Sequence, residues 1–385
     1  MTVIETEPRF IPVQTRSQRF TSTDVDDFPA VTGREAVWKL TPIARIDDLI
    51  GGALDGSAYP FELTQAPGVT AEWVDRSDAR IGSVGAPEER ASANAWSAFE
   101  KALVVSVTGE DASEITLSRT SLGVGARAAH TVVDVAPFAR ATLILRNTGD
   151  ARLSENLEIR VGESASLTLV SVQEWSDASV HAASHFATVA RDARLKHVVV
   201  SLGGSVVRLN PTTRLIGTGS DTEMLGVYFA DSGQHLEHQV YVYHEAAHGR
   251  SRVNYKGALQ GDGAHTVWIG DVLIGPDAAG TDSYEQNRNL VLSDGTRADS
   301  VPNLEIETGD ILGAGHASAT GRFDDEQLFY LQSRGIAEDE ARRLVVRGFL
   351  VDIVQRIGSP TLEDHLRSAI EAELAGEHFD PEVAE

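Results

Sequence analysis

Leu167-Thr168-Leu169-Val170-Ser171-Val172, entered through the small-residue turn Gly162-Glu163-Ser164-Ala165-Ser166, is the stretch that decides the fold. About 28 residues later a second such turn, Arg191-Asp192-Ala193-Arg194-Leu195, feeds the run His197-Val198-Val199-Val200. A third, Gly261-Asp262-Gly263-Ala264-His265-Thr266, follows after a longer gap, so the period is imperfect. Leu103-Val104-Val105-Ser106-Val107 and Thr142-Leu143-Ile144-Leu145 have the same texture. Short β-branched runs bounded by Gly, Asp, Ser and Ala turns read as strands, and long helical periodicity is missing among them. A sandwich would alternate more cleanly between apolar and polar positions. Stacked coils fit better, and the chain is expected to be mainly β, with a right-handed parallel β-helix core over residues 96–321. The two open ends of such a stack invite aggregation, so the flanking segments are its expected caps.

Residues 1–95 read as a mixed, partly helical N-terminal cap. Thr21-Ser22-Thr23-Asp24 looks like flexible or capping sequence. Gly33-Arg34-Glu35-Ala36-Val37-Trp38-Lys39-Leu40 suggests a short helix stopped before Pro42, with Trp38 as a buried anchor. Residues 322–385 read as a C-terminal helical domain. Asp324 or Asp325 is the expected cap of a helix running through Ser333, and Gly335 suits its left-handed stop. A long helix is expected from Glu338 to Arg356, with an apolar face carrying Ala341, Leu344, Val345, Phe349, Val351 and Ile353. Thr361-Leu362-Glu363-Asp364 resembles a capping box opening a last helix to about Ala375. Helices this apolar either pack back on the β unit or meet a partner.

Bulk properties exclude several classes. The 385 residues carry a formal net charge of −24, with lysine only at 39, 101, 196 and 256. Nucleic acid and anionic membrane surfaces would repel such a chain. Cysteine is absent, which removes disulfides, thiolate catalysis and all-thiolate metal sites. The acidic start Met1-Thr2-Val3-Ile4-Glu5-Thr6-Glu7 lacks the form of a secretory signal, and no apolar run is long enough to span a bilayer. A cytoplasmic location is expected.

Chemical motifs are few. No P-loop, Gly-x-Ser-x-Gly elbow or dinucleotide-binding glycine pattern is present, so no nucleotide should bind to this chain. His235, His238, His244, Glu245 and His248 crowd around the strand Val240-Tyr241-Val242-Tyr243 and suggest a cupin-like metal site. Strand alternation opposes it by sending these imidazoles to different faces. Asp262, Asp271, Asp277 and Asp282 would suit a β-helix polysaccharide lyase or hydrolase, although aspartates in such turns are usually structural.

His316 stands apart. It sits in Gly313-Ala314-Gly315-His316-Ala317-Ser318-Ala319-Thr320-Gly321, a stretch without bulky neighbours and with no acidic residue beside it. Such a position can present a neutral nitrogen to a metal, though a turn residue held by hydrogen bonds is the commoner outcome. Protein metal sites generally need about three or four ligands. If His316 is a ligand, its companions must come from elsewhere in the chain or from another protein.

The strings Asn254-Tyr255-Lys256-Gly257, Thr281-Asp282-Ser283-Tyr284-Glu285-Gln286-Asn287-Arg288-Asn289-Leu290-Val291-Leu292 and Ala298-Asp299-Ser300-Val301-Pro302-Asn303-Leu304-Glu305-Ile306 resemble the SufB/SufD family of iron–sulfur cluster assembly proteins. So does Phe323-Asp324-Asp325-Glu326-Gln327-Leu328-Phe329-Tyr330-Leu331-Gln332-Ser333-Arg334-Gly335-Ile336. The resemblance is dense from Tyr241 to Ile357; Glu35-Ala36-Val37-Trp38-Lys39-Leu40-Thr41-Pro42 resembles the family's N-terminal segment. Where the SufB branch carries a cysteine after its Tyr-x-Gln string, this chain has Asn287, and its later histidine is flanked by Gly315 and Ala317 instead of glutamates. The chain therefore looks like the SufD branch.

The resemblance implies a non-catalytic scaffold subunit. A SufB-like partner would pair with it through the β-helices, and a SufC-like ABC ATPase would bind its C-terminal helices. His316 matches the SufD histidine implicated as a ligand of a nascent iron–sulfur cluster shared with the partner. The segment's cysteine is missing, with Gly313 or Ala314 near its place, and the approach to the histidine is one residue longer, which leaves the direction of the imidazole open. Leu344, Val345 and Phe349 become the expected ATPase-binding residues, and the resemblance leaves room for a reduced flavin in the assembled complex.

Overall fold

A computed structural model describes residues 19–322 and 325–375. Strands and helices are numbered along the chain. Two nine-stranded sheets face each other. The first runs, in spatial order, β1 (Glu62–Leu63), β4 (Ser113–Thr120), β6 (Arg140–Gly149), β8 (Ser166–Trp175), β10 (Arg194–Ser201), β12 (Asp221–Ala230), β14 (Arg250–Leu259), β16 (Thr281–Val291) and β18 (Ile311–Arg322). The second runs β2 (Val69–Asp75), β3 (Lys101–Val107), β5 (Ala126–Val135), β7 (Arg152–Val161), β9 (Val180–Val189), β11 (Val206–Leu215), β13 (His235–His244), β15 (His265–Ile274) and β17 (Arg297–Ile306). From β3 onward the chain alternates between sheets and every neighbouring pair is parallel, which makes a β-solenoid of about eight turns. At the N-terminal end, β1 and β2 pair antiparallel with β4 and β3 and end the stack.

The imperfect period has a local cause. Phe138, Ser164, Asp192, Gly219, His248 and Gly280 occupy equivalent turns before successive strands of the first sheet, and all have positive φ. Left-handed backbone is unusual for phenylalanine or serine, so the turn geometry, not the residue type, is what recurs. Most strands stay ten residues long while turn lengths vary.

Apolar positions from both inner faces form the axial core, from Leu103, Ile115 and Leu143 to Tyr255, Trp268 and Ile274. On β12 and β14 each tyrosine faces a glycine across the ladder: Tyr228 opposite Gly257 and Tyr255 opposite Gly226. A Cβ on Gly257 would fall 1.8 Å from the Tyr228 ring. The interior also seals ionic groups. Arg119 grips Glu155 at 2.6 and 2.9 Å, and His181 adds a contact at 2.9 Å. A pair this deep holds the Glu155 carboxyl well below the usual carboxylate range against the burial that raises it.

The outer faces are covered too, so strands such as β9 are buried along their whole length and the sequence shows runs rather than alternation. α1 (Asp47–Gly51) and α2 (Arg90–Ala98) lie over the second sheet; Trp38, Ile46, Leu49 and Ile50 pack on Val180, Ala182 and Val206. Trp38 is the anchor its sequence suggested, buried under the Arg208 guanidinium at 4.0 Å. The expected helix over residues 33–40 is instead a series of turns, with Trp38 N–H donating to Glu35 and Thr41 N–H to Trp38. A segment this short before a proline cannot repay helix nucleation. The expected boundary at residue 95 falls within α2.

α3 (Asp325–Ser333), α4 (Glu338–Val354) and α5 (Pro360–Ala375) follow the solenoid. Val346, Leu350, Ile353 and Val354 of α4 and Leu366 and Ile370 of α5 pack on the outer face of the first sheet, against Val198, Val200, Val227 and Phe229. Each such side chain contributes roughly 1.5–3 kcal/mol of burial. Lys256 adds a contact to Asp352 at 2.7 Å, and Glu174 one to His365 at 2.7 Å. Gly335 takes the expected left-handed turn, at φ 87°. The cap of α5 is Ser359 rather than Thr361, with Pro360 in the first turn and Glu363 accepting from the Gly358 N–H. Asp324, and the chain before residue 19 and after 375, lie outside the described residues. The helices thus cover a side of the solenoid, on β12 and β14, and are not the end cap that was expected.

Candidate functional site

The C-terminal end of the stack is formed by β17 and β18, each the last strand of its sheet. Its inner face carries polar side chains beside Ala298, Leu304, Ile311 and Ala314, which pack on the axial core. Asn287 and Asn289 of β16 hydrogen-bond each other and the Tyr228 hydroxyl, and Ser318 of β18 donates to Ser300 of β17 at 2.7 Å. His316 belongs to this face. It lies within β18, not in a loop, and its side chain is 44 % exposed at the open end.

One residue decides its direction. β18 pairs in register with β16, except that Thr281 faces Ile311 while Asp282 faces Gly313. Leu312 is the extra residue of a β-bulge and stands 81 % exposed. Were Leu312 to continue the ladder without a bulge, strict alternation from the inward-facing Ile311 would send His316 outward; because the bulge absorbs Leu312, Ala314 and His316 turn inward.

His316 is directly paired with Glu285, whose Oε1 lies 3.8 Å from Nδ1. The expectation of no acidic neighbour is therefore overturned: the acid comes from the adjacent strand, invisible to local sequence. Glu285 is only 1 % exposed, and neither carboxyl oxygen completes a hydrogen bond of normal geometry. Burial pushes its carboxyl up to about 8, the Asp271 charge adds to this, and the Asn303 backbone N–H pulls the other way. Glu285 is thus mostly protonated at neutral pH. Gly270 on β15 makes its space, since a Cβ there would lie 2.6 Å from Oε2 and 2.2 Å from the Trp268 ring. Period-two alternation from Asn287 was the one signal that could have found Glu285.

The other sequence candidates disperse. The strand at Val240–Tyr243 begins earlier than expected, so His235, His238 and His244 all belong to β13. His235 bonds Glu237 on the outer side at 2.9 Å; His238 bonds Ser201 at 3.0 Å inside, and His244 bonds Ser251 at 2.8 Å. Burial pushes His238 down to about 3 and His244 down to about 4, which keeps both neutral. His248 is a left-handed turn residue and Glu245 pairs with Arg214. Among the described residues no group of three or more His, Cys, Asp or Glu side chains is arranged to hold a metal ion. Asp262 and Asp277 lie in turns, Asp271 bonds Asn303, and Asp282 pairs with Arg252, so these aspartates line no common face. On α4, Leu344, Val345 and Phe349 are half-buried; Phe349 already packs toward β14, with Lys256 Nζ 5.1 Å from its ring. Phe329 and Tyr330 of α3 are exposed.

Comparison with known proteins points to one family. The family described as SUF system FeS cluster assembly, SufBD core domain, matches residues 117–349. An iron–sulfur cluster assembly SufBD family protein of Mycobacterium leprae is 48 % identical over 370 residues, covering 93 % of this chain and 94 % of its own. The iron–sulfur cluster assembly protein SufD of Escherichia coli is 27 % identical over 63 % of this chain and 58 % of its own, and that of Bacillus subtilis 29 % identical over 59 % and 52 %. No described helix is long and apolar enough to cross a membrane. The chain belongs to the SufBD family of iron–sulfur cluster assembly proteins.

Proposed function

We propose that this chain is the SufD-like scaffold subunit of a SufBCD-type complex, working in the cytoplasm. Its open solenoid end pairs with a cysteine-bearing SufB-like subunit, and a nascent iron–sulfur cluster is built between them as cargo. The observation that carries the reading is His316, turned by the Leu312 bulge onto the inner face of the last described coil, where its side chain is partly exposed. With no cysteine in the chain, sulfur ligands must come from the partner. Nitrogen binds iron less tightly than thiolate, which favours onward release of the cluster. Apolar surface at Tyr284, Val301, Ile306 and Leu312 surrounds the same end and supports pairing there.

The chain itself turns nothing over. ATP hydrolysis comes from a SufC-like partner seated on α3 and α4, where Phe329, Tyr330, Leu344 and Val345 leave apolar surface. Nucleotide binding there moves the helices against the solenoid and biases a two-state interface. His316→Ala, co-expressed with both partners, should leave the complex intact and lower the iron and sulfide it acquires. Unchanged cluster yield in that complex would remove His316 from the function.

A further inference from the structure

We propose that Glu285 and His316 together form a carboxylate–imidazole half-site for a divalent iron ion, so that this subunit brings an oxygen as well as a nitrogen to the shared cluster. This rests on the reading above that the open end handles iron. Three observations carry it. Glu285 Oε1 and His316 Nδ1 are 3.8 Å apart, and two metal bonds of about 2.1 Å span that gap at an angle of roughly 130°, within reach of tetrahedral geometry after a small closure. The carboxyl is enclosed, and apart from the weak reach of the Asn303 backbone N–H neither oxygen completes a hydrogen bond of normal geometry among the described residues. Burying an unpaired carboxyl is costly, and a cation is the partner that would repay it. Finally, Gly270 leaves out the Cβ that would occupy the room held by Oε2 and the Trp268 ring.

Oxygen and imidazole donors suit Fe(II), and the half-site leaves the remaining coordination positions to the partner's thiolates and to water. On binding, the metal replaces the carboxyl proton, which leaves through the open end.

Cobalt(II) tests this on the full-length chain stripped with chelator, read by its visible ligand-field absorption and by calorimetry. Wild type should bind one cobalt per chain. Glu285→Gln and His316→Ala should each weaken it by at least about tenfold, with thermal melts showing both variants folded. Ser318→Ala, on the same face, should bind as wild type. Wild-type affinity in Glu285→Gln, or no saturable cobalt site in the wild-type chain, overturns the half-site. The two proposals separate cleanly. If Glu285→Gln loses cobalt but its complex assembles clusters normally, the metal site stands and its use in assembly falls. If His316→Ala impairs assembly while Glu285→Gln binds cobalt normally, the assembly role stands and the half-site falls.

Discussion

Glu285→Gln should make the chain more resistant to unfolding as pH rises, by an amount that grows across the neutral range. The folded chain holds the Glu285 proton up to about pH 8, whereas the unfolded carboxyl loses it near 4.5. Below the lower value both states are protonated, and the native environment suits the neutral acid. Between the two values the folded state binds more protons than the unfolded one, so stability falls with rising pH and the loss is complete once pH passes the folded value. One unit is worth about 1.4 kcal/mol, so the penalty is roughly 3 kcal/mol at pH 7 and on the order of 4–5 kcal/mol above pH 8, as upper figures. Glutamine cannot ionise and carries no such slope. Urea unfolding with chelator present, followed by tryptophan fluorescence at about pH 5, 7 and 8.5, isolates the effect. The amide adds an offset that is independent of pH, so the readout is the change in the difference between variant and wild type. A difference that stays constant from about pH 5 to 8.5 would show that Glu285 is ionised in the folded chain and that its enclosure has been misjudged.

Leu350→Ala should cost about 2–5 kcal/mol, because Leu350 is fully buried between α4 and the first sheet; limited proteolysis should then release the C-terminal helices before the solenoid is cut. Gly257→Ala should cost about 1–3 kcal/mol or more, since the new methyl meets the enclosed Tyr228 ring; a thermal melt equal to wild type would refute the packing argument. Leu344→Asp combined with Val345→Asp should leave the urea midpoint nearly unchanged and abolish co-purification of the ATPase subunit; retention of that subunit would move its seat elsewhere.

The solenoid was readable because each coil repeats the same short strand and the same turn, and such local signals survive in one sequence. The absence of alternation, which argued against a sandwich, has its cause in the covers on both outer faces. The N-terminal segment was harder. Its order comes from single anchors such as Trp38 under Arg208, and tertiary packing substitutes for the helix its residues suggested. His316 was recognisable by residue type, but its orientation depended on where one extra residue is absorbed, and only the pairing of β16 with β18 places the bulge at Leu312. Glu285 lay 31 positions from His316 in the chain, so register alone brings them side by side. The histidines around β13 show the converse: closeness in sequence delivered them to opposite faces.

The strand reversal at β1 and β2 has a consequence for assembly. A stack with two equivalent open ends could add copies indefinitely and grow into a filament. Here one terminus finishes in antiparallel strands, the outermost of them only two residues long, and among the described residues no further strand follows β17 and β18 at the other. If the SufB-like partner proposed above docks on that end, growth halts with a single pair and the joint is enclosed between the two molecules, a closed and finite arrangement suited to a product that must be shielded until it is handed on.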